Sequence, residues 1–365
     1  MLRRILFCLT GLLMLSFVHA AKSVTYIWNF HELDSIRQHP SSQAFRNLVQ
    51  KADQMLAAGV VAVTDKPDTR SGDKHNYESL SIYWWPDSQN PDGPYLARDG
   101  HVNPEYQQYD YPRLQQLLRN LTNASQAFYL TQEQKYYDYV CRQLDTWFIN
   151  DATRMTPNFE YSQFIPGRNE GRGNPQGMID AYTFNSILES IRLTDSVQPL
   201  GKKRIKALRK WFKTFAQWMQ KSDYGQKASR FKNNQAVAYD VTLYNIYLFL
   251  DSKSKRKGIL NSFYDKRVQP QIDEEGKMPE ELKRTKAYSY SIYNLTHLID
   301  FCLMVDNDVL PLPPAILEKV QKSHAYLQQF ADAPQRFPYK ELDSWQTQTN
   351  NLQRESRRLS TLQAK

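Results

Sequence analysis

The sequence predicts an all-α protein, and three observations carry that expectation. Apolar residues recur at i, i+3 and i+4 in one stretch after another, alternating strand patterns are almost absent, and the helical stretches are joined mostly by short links. Phe45, Leu48, Val49, Ala52, Met55 and Leu56 form the first stripe. Leu114, Leu117, Leu118 and Leu121 begin a second, and Tyr136, Tyr139, Val140, Leu144, Trp147 and Phe148 form a third. The fourth, from Ile205 through Leu208, Trp211, Phe212 and Phe215 to Met219, has very regular spacing. Further helical stretches are expected over 178–193, 236–250, 289–305, 315–330 and 342–359, about ten helices in all. Lys253 to Lys257, the one dense basic cluster, reads as a solvated loop between two of them.

Two connections are too long for this pattern, residues 59–104 and 150–176. They carry Trp, Tyr, Arg and Asn, a composition that favours a functional role over disorder. No segment rich in Pro, Gly or Ser divides the chain, so residues 21–365 are expected to form one domain. Residues 1–20 have the pattern of a signal peptide: Arg3 and Arg4, an apolar run from Ile5 to Val18, then His19-Ala20 before the cleavage point. A periplasmic or secreted protein follows, with no membrane insertion after cleavage, because the apolar run is short for a span.

The formal charge is +9, falling to +7 without Arg3 and Arg4. A basic exported protein suits an anionic partner, and the dispersed charge disfavours nucleic acid. Cys141 and Cys302 can pair or remain two buried thiols. His75, His101, His297 and His324 are scattered without metal-ligand spacing, so neither a catalytic metal nor another cofactor is expected.

The stretch Glu281 to Leu295 is the most informative. Pro279, Glu280 and Glu281 come first, as suits a helix start. Arg284 and Tyr290 are six apart, so Arg284 is expected in the turn leading in and Tyr290 on the helix, both facing one cleft. An Arg that can hold a carboxylate beside a Tyr that can exchange a proton makes a workable site for an acidic sugar. The first long loop contains Tyr83-Trp84-Trp85-Pro86-Asp87, with rings suited to stacking on sugars. The second contains Met155-Thr156-Pro157-Asn158, Tyr161-Ser162-Gln163, Gly167-Arg168 and Gly171-Arg172-Gly173; a third motif, Lys232-Asn233-Asn234-Gln235, leads through Tyr239 into a helix. One of the two Asn residues is expected to cap that helix.

These four pieces, in this order, resemble the alginate lyase superfamily, most closely polysaccharide lyase family 38, over about residues 29–330. The resemblance implies an incomplete (α/α) toroid with long loops lining a cleft, and β-elimination on uronic acid polymers. It places the catalytic Tyr at Tyr290, the substrate-binding Arg at Arg284, and a carboxylate-neutralising Asn at Asn158. The family's Asn-Asn-His signature departs here to Asn233-Asn234-Gln235. Gln cannot titrate, yet it keeps an N–H₂ donor, so Gln235 and Asn234 are expected to neutralise a substrate carboxylate. Tyr83, Trp84, Trp85, Tyr161, Gln163, Arg168, Arg172 and Tyr239 complete the expected substrate-binding set. The implied substrate is an acidic polysaccharide or oligosaccharide, a mannuronate-rich alginate or a glucuronan. Two other readings use the same residues: a uronan-binding protein without turnover, and a toroid glycoside hydrolase with Asp180 and Asp240 as its two carboxylates.

Overall fold

The structure is a computed structural model and describes residues 24–363. The expected signal peptide lies outside the described residues. The chain forms thirteen α-helices among the described residues, with four short strands confined to the two long connections. In order they are α1 (Phe30–Gln38), α2 (Gln43–Ala58), α3 (Tyr111–Thr131), α4 (Gln134–Leu144), α5 (Phe184–Val197), α6 (Lys202–Lys221), α7 (Asp223–Ala228), α8 (Asn234–Phe249), α9 (Lys253–Phe263), α10 (Pro279–Leu282), α11 (Ala287–Asp306), α12 (Pro314–Gln328) and α13 (Trp345–Gln363). This is an (α/α) toroid: consecutive helices pair, and the pairs wrap around shared inner helices.

The outer helices are amphipathic. α6 buries Leu208, Trp211, Phe212, Phe215 and Met219 and turns its Lys and Arg residues to solvent. Its rings join Phe148 and Phe184 in an aromatic cluster, with Trp211 and Phe215 stacked at 5.4 Å. The inner helices are buried all round. α8 has 14 of its 16 residues buried and α11 has 15 of 20, which makes them common walls. Tyr239, Leu243 and Ile246 of α8 belong to the core around α3–α6, whereas Val237, Val241 and Tyr244 belong to that of α11–α13.

Two departures from the sequence reading have local causes, and one open alternative is decided. Residues 253–257 are the first turn of α9, not a loop; their Lys side chains face solvent while Arg256 turns inward onto Asp308. The helix expected from 178 begins at Phe184, because residues 175–183 wind as a tighter 3₁₀ helix opening with Pro175. Cys141 and Cys302 are both free and buried.

The long connections are pinned at several points. β1 (Glu78–Leu80) of the first pairs in parallel with β4 (Tyr161–Phe164) of the second. Within the first, β2 (Trp84–Trp85) pairs with β3 (Leu96–Ala97). The Glu78 carboxylate accepts hydrogen bonds from Thr69, Arg70 and Ser71, and Lys66 forms a buried ion pair with Asp110 at the start of α3. These bonds fold both loops over the toroid mouth.

Candidate active site

The N-terminal turns of α3, α5, α8 and α11 open onto one cleft of about 750 Å³, roofed by the two long loops. Each helix contributes from its first turns: Tyr111 and Gln115, Ser186, Asn234 and Gln235, and Tyr290 and Tyr293. Helix N-termini present free N–H groups and partial positive charge, which favours an anionic ligand.

Tyr290 stands in the first turn of α11, and its hydroxyl donates to the Tyr83 hydroxyl at 2.9 Å. Arg284 lies in the turn between α10 and α11, with its guanidinium over the Tyr290 ring at 4.0 Å from the centroid. Burial pushes the Tyr290 phenol well above its ordinary 10 and Tyr83 adds to the shift, while the Arg284 charge opposes it. Arg284 is already engaged: its Nη2 and Nε both donate to Asp99, which also accepts from the Thr285 N–H and hydroxyl. Burial alone would raise the Asp99 carboxyl, but these donors outweigh it and hold it at about 2. Gly100 lets the loop make this approach. Its φ is +81°, and a Cβ there would run into the Thr285 hydroxyl.

At the start of α8 the cap comes from another segment. Asn233 occupies the N-cap position without a side-chain bond, and the buried Glu281 carboxylate accepts from both the Asn234 N–H (2.6 Å) and Asn234 Nδ2 (2.7 Å). Burial pushes Glu281 up to about 7 against these two bonds. The next residue, Gln235, faces the cleft half-buried, and its amide makes no hydrogen bond within the protein. Behind α8, His297 lies between the Tyr182 and Tyr293 rings, each at 4.2 Å. Neither ring nitrogen makes a hydrogen bond of good geometry, and burial lowers its imidazole to about 3 against a weaker interaction with the Asn234 backbone.

The structure brings Tyr290, Arg284, Asn234, Gln235, Tyr83, Trp84 and Gln163 together in the cleft. It leaves the others outside the lining. Asn158 uses its Oδ1 to accept from the Glu160 N–H in a local turn and is not part of the lining. Tyr161 lies on β4 without reaching the cavity. Arg172 is ion-paired with Glu160. Arg168 stacks on Trp84 at 4.7 Å, and Trp85 donates its Nε1–H to the His101 carbonyl beneath Arg98. Tyr239 is buried, with its hydroxyl on the Met219 carbonyl. Asp180 and Asp240 do not share a cavity. Asp180 accepts from Tyr77, Ser79 and Gln163 in the cleft, whereas Asp240 pairs with Arg267 on the far side of α8. They cannot flank one glycosidic bond as a hydrolase pair must. Tyr293, Tyr111 and Asp99 escaped the sequence reading, which took Glu281 only as an acid at a helix start. Tyr293 was within reach of it, since it lies three residues after Tyr290 on the same helix face. Among the described residues, no three His, Cys, Asp or Glu side chains converge as ligands of an ion would.

The alginate lyase family matches residues 62–351, four-fifths of the chain. The protein belongs to the alginate lyase family. Its fold agrees with that of an alginate lyase from Bacteroides ovatus at a TM-score of 0.88 and 32% identity, covering 93% of this chain and 92% of that one. Alginate lyase A1-III from Sphingomonas species A1 shares the fold more distantly, at a TM-score of 0.53 and 12% identity over 88% of this chain and 82% of that one. A Tyr-to-Phe variant of A1-III, complexed with tetrasaccharide, aligns at 0.51 and 12% over 86% and 78%. No curated protein matches the chain. The family and the Bacteroides neighbour make this protein a polysaccharide lyase.

If the half-buried Trp84 is a sugar platform, Trp84→Ala weakens polymer binding while melting temperature changes little. A core ring would instead cost about 3–5 kcal/mol of stability. Isothermal titration beside a thermal melt separates the two, and a large melting shift with unchanged binding assigns Trp84 to packing.

Proposed function

We propose that this lyase cleaves mannuronate-rich alginate or a glucuronan by β-elimination, with Tyr290 as both base and acid. The observation that carries the reading is the Tyr290 hydroxyl in the cleft, hydrogen-bonded to Tyr83 and overlaid by the Arg284 guanidinium. Ionised Tyr290 takes the C5 proton. The C5–H pair forms the C4=C5 double bond, the C4–O4 bond breaks, and the new Tyr290 hydroxyl gives its proton to O4. The phenolate is thereby regenerated, so one loss of its proton, through the half-exposed Tyr83 hydroxyl, serves many turnovers.

Proton removal beside a carboxylate builds up negative charge that needs donors. Gln235 has a free amide at the right place, and Asn234 is held beside it by Glu281. The neutralising role expected of Asn158 passes to these two. A single Tyr acting on both atoms needs the C5 proton and O4 on one side of the ring, as in mannuronate and glucuronate. The N-terminal stretch supports export to the periplasm or beyond.

The test is a panel of uronic acid polymers followed by ultraviolet absorbance of the unsaturated product. Mannuronate-rich alginate or glucuronan should be cut faster than guluronate-rich or galacturonate polymers. Preference for the latter overturns the one-sided mechanism. Gln235→His should keep or raise the rate. A wild-type protein silent on every polymer but switched on by Gln235→His would be a degenerate, uronan-binding relative.

A further inference from the structure

On the far side of Phe231 and Lys232 lies a second groove, of about 870 Å³. Its walls are α8, α9, the π-helical turn Tyr264–Val268 and the link from α7 to α8. We propose that this groove is a second binding site for anionic polysaccharide, continuous with the catalytic cleft. The proposal rests on the reading of the substrate as a polyanion.

The first argument is where the uncompensated charge lies. In the cleft lining, Lys232 and Arg284 are outnumbered by Asp99, Asp180 and Glu280, and Arg284 is already held by Asp99. The helix N-termini there act only over about one turn. The cleft can therefore orient a carboxylate at short range, but it has little long-range attraction for a polyanion. The groove is the reverse. Arg230, Lys232, Lys255 and Lys266 are all exposed, and none has a carboxylate within ion-pair distance. Arg267 is compensated by Asp240 and also donates to the Ser229 carbonyl, leaving Asp265 as the other acid of the lining. Four free cations around a concave surface raise the local concentration of an anionic chain.

Continuity is the second argument. Phe231 and Lys232 line both cavities, so the cleft and the groove share a wall immediately before α8, where Asn234 and Gln235 stand. A chain leaving the cleft passes Phe231 and the exposed Lys232 as it enters the groove. The floor is closed by the buried Tyr239 and Tyr247, whose hydroxyls are tied to Met219 and Gln220. A segment held there keeps the rest of the same polymer near Tyr290, an effective-concentration gain available only to chains long enough to reach both sites.

The test compares wild type with Arg230→Glu/Lys255→Glu/Lys266→Glu on long alginate and on an alginate tetrasaccharide. All three side chains are exposed, and equal thermal melts establish folding. The expected result is a KM for long polymer raised about tenfold or more, the scale of electrostatic focusing, with the tetrasaccharide KM changed less than about twofold. Rising salt should remove the wild-type advantage on long polymer. Equal KM changes on both substrates, or none on either, overturn the groove. If wild type cuts no uronan, the catalytic reading fails first, and affinity electrophoresis in alginate still decides the groove: retardation lost in the triple variant supports it, and unchanged retardation overturns it.

Discussion

Tyr290→Phe is expected to lower the rate of double-bond formation by about 10²-fold or more, the scale of a general acid–base group. In barrier terms this is about 3 kcal/mol. The substitution removes one hydroxyl and keeps the ring, so Arg284 retains its stacking partner and α11 its packing. The lost bond to Tyr83 is half-exposed and worth only about 1 kcal/mol of stability. A folded protein with a collapsed rate and little change in KM is therefore the expected pattern, measured by initial rates in the ultraviolet beside a thermal melt. Full activity in Tyr290→Phe would remove Tyr290 from the chemistry and direct attention to Tyr83, Tyr111, Tyr182 and Tyr293, the other phenols of the cleft.

The pH profile should be unusually steep on its alkaline side. The Tyr290 phenol is pushed above its ordinary value, so below that value the ionised fraction grows about tenfold for each pH unit. Activity should climb by about 10² between pH 7 and pH 9. Glu281 acts in the same direction lower down. It titrates at about 7, and only its ionised form accepts from both Asn234 donors. Protonation puts a hydrogen where one of those donors points, so Asn234 loses its anchor as pH falls through 7. Asp180, raised in the same direction by burial, is a second buried acid beside the cleft. Glu281→Gln decides between them: the acidic limb disappears if it belongs to Glu281 and persists if it belongs to Asp180. His297, lowered to about 3, and Gln235, which cannot titrate, leave no histidine limb in this range. A rate that is flat from pH 7 to pH 9 would contradict a phenolate base.

The fold was legible because helical periodicity is local. The α6 stripe and the largely apolar inner helices can be read from a few turns each. The placement of Arg284 in a turn and Tyr290 on the following helix could also be read, because a six-residue spacing cannot share one helix face. What pairs with them could not. Asp99 reaches Arg284 from 185 residues away, and Tyr83 reaches Tyr290 from 207. No spacing rule covers such distances. Glu281 was visible as an acid before a helix, and the natural inference was service to its own helix; it caps α8 instead. Asn158 was placed in the site by resemblance alone, and it sits in a local turn outside the lining. Lys253–Lys257 looked like a loop because its charges masked the helical face that carries Arg256 inward.

The link from the first long loop to α11 has a consequence for how the protein matures. The helices close through contacts between neighbours in the chain, which form early. The Asp99–Arg284 and Tyr83–Tyr290 bonds instead close chain segments nearly two hundred residues apart, so they wait until the toroid between them is in place. An almost fully helical chain can therefore exist with its loops still open, its cleft unroofed and Tyr290 without its partner. Catalytic competence is therefore expected only after the helices between these segments have assembled.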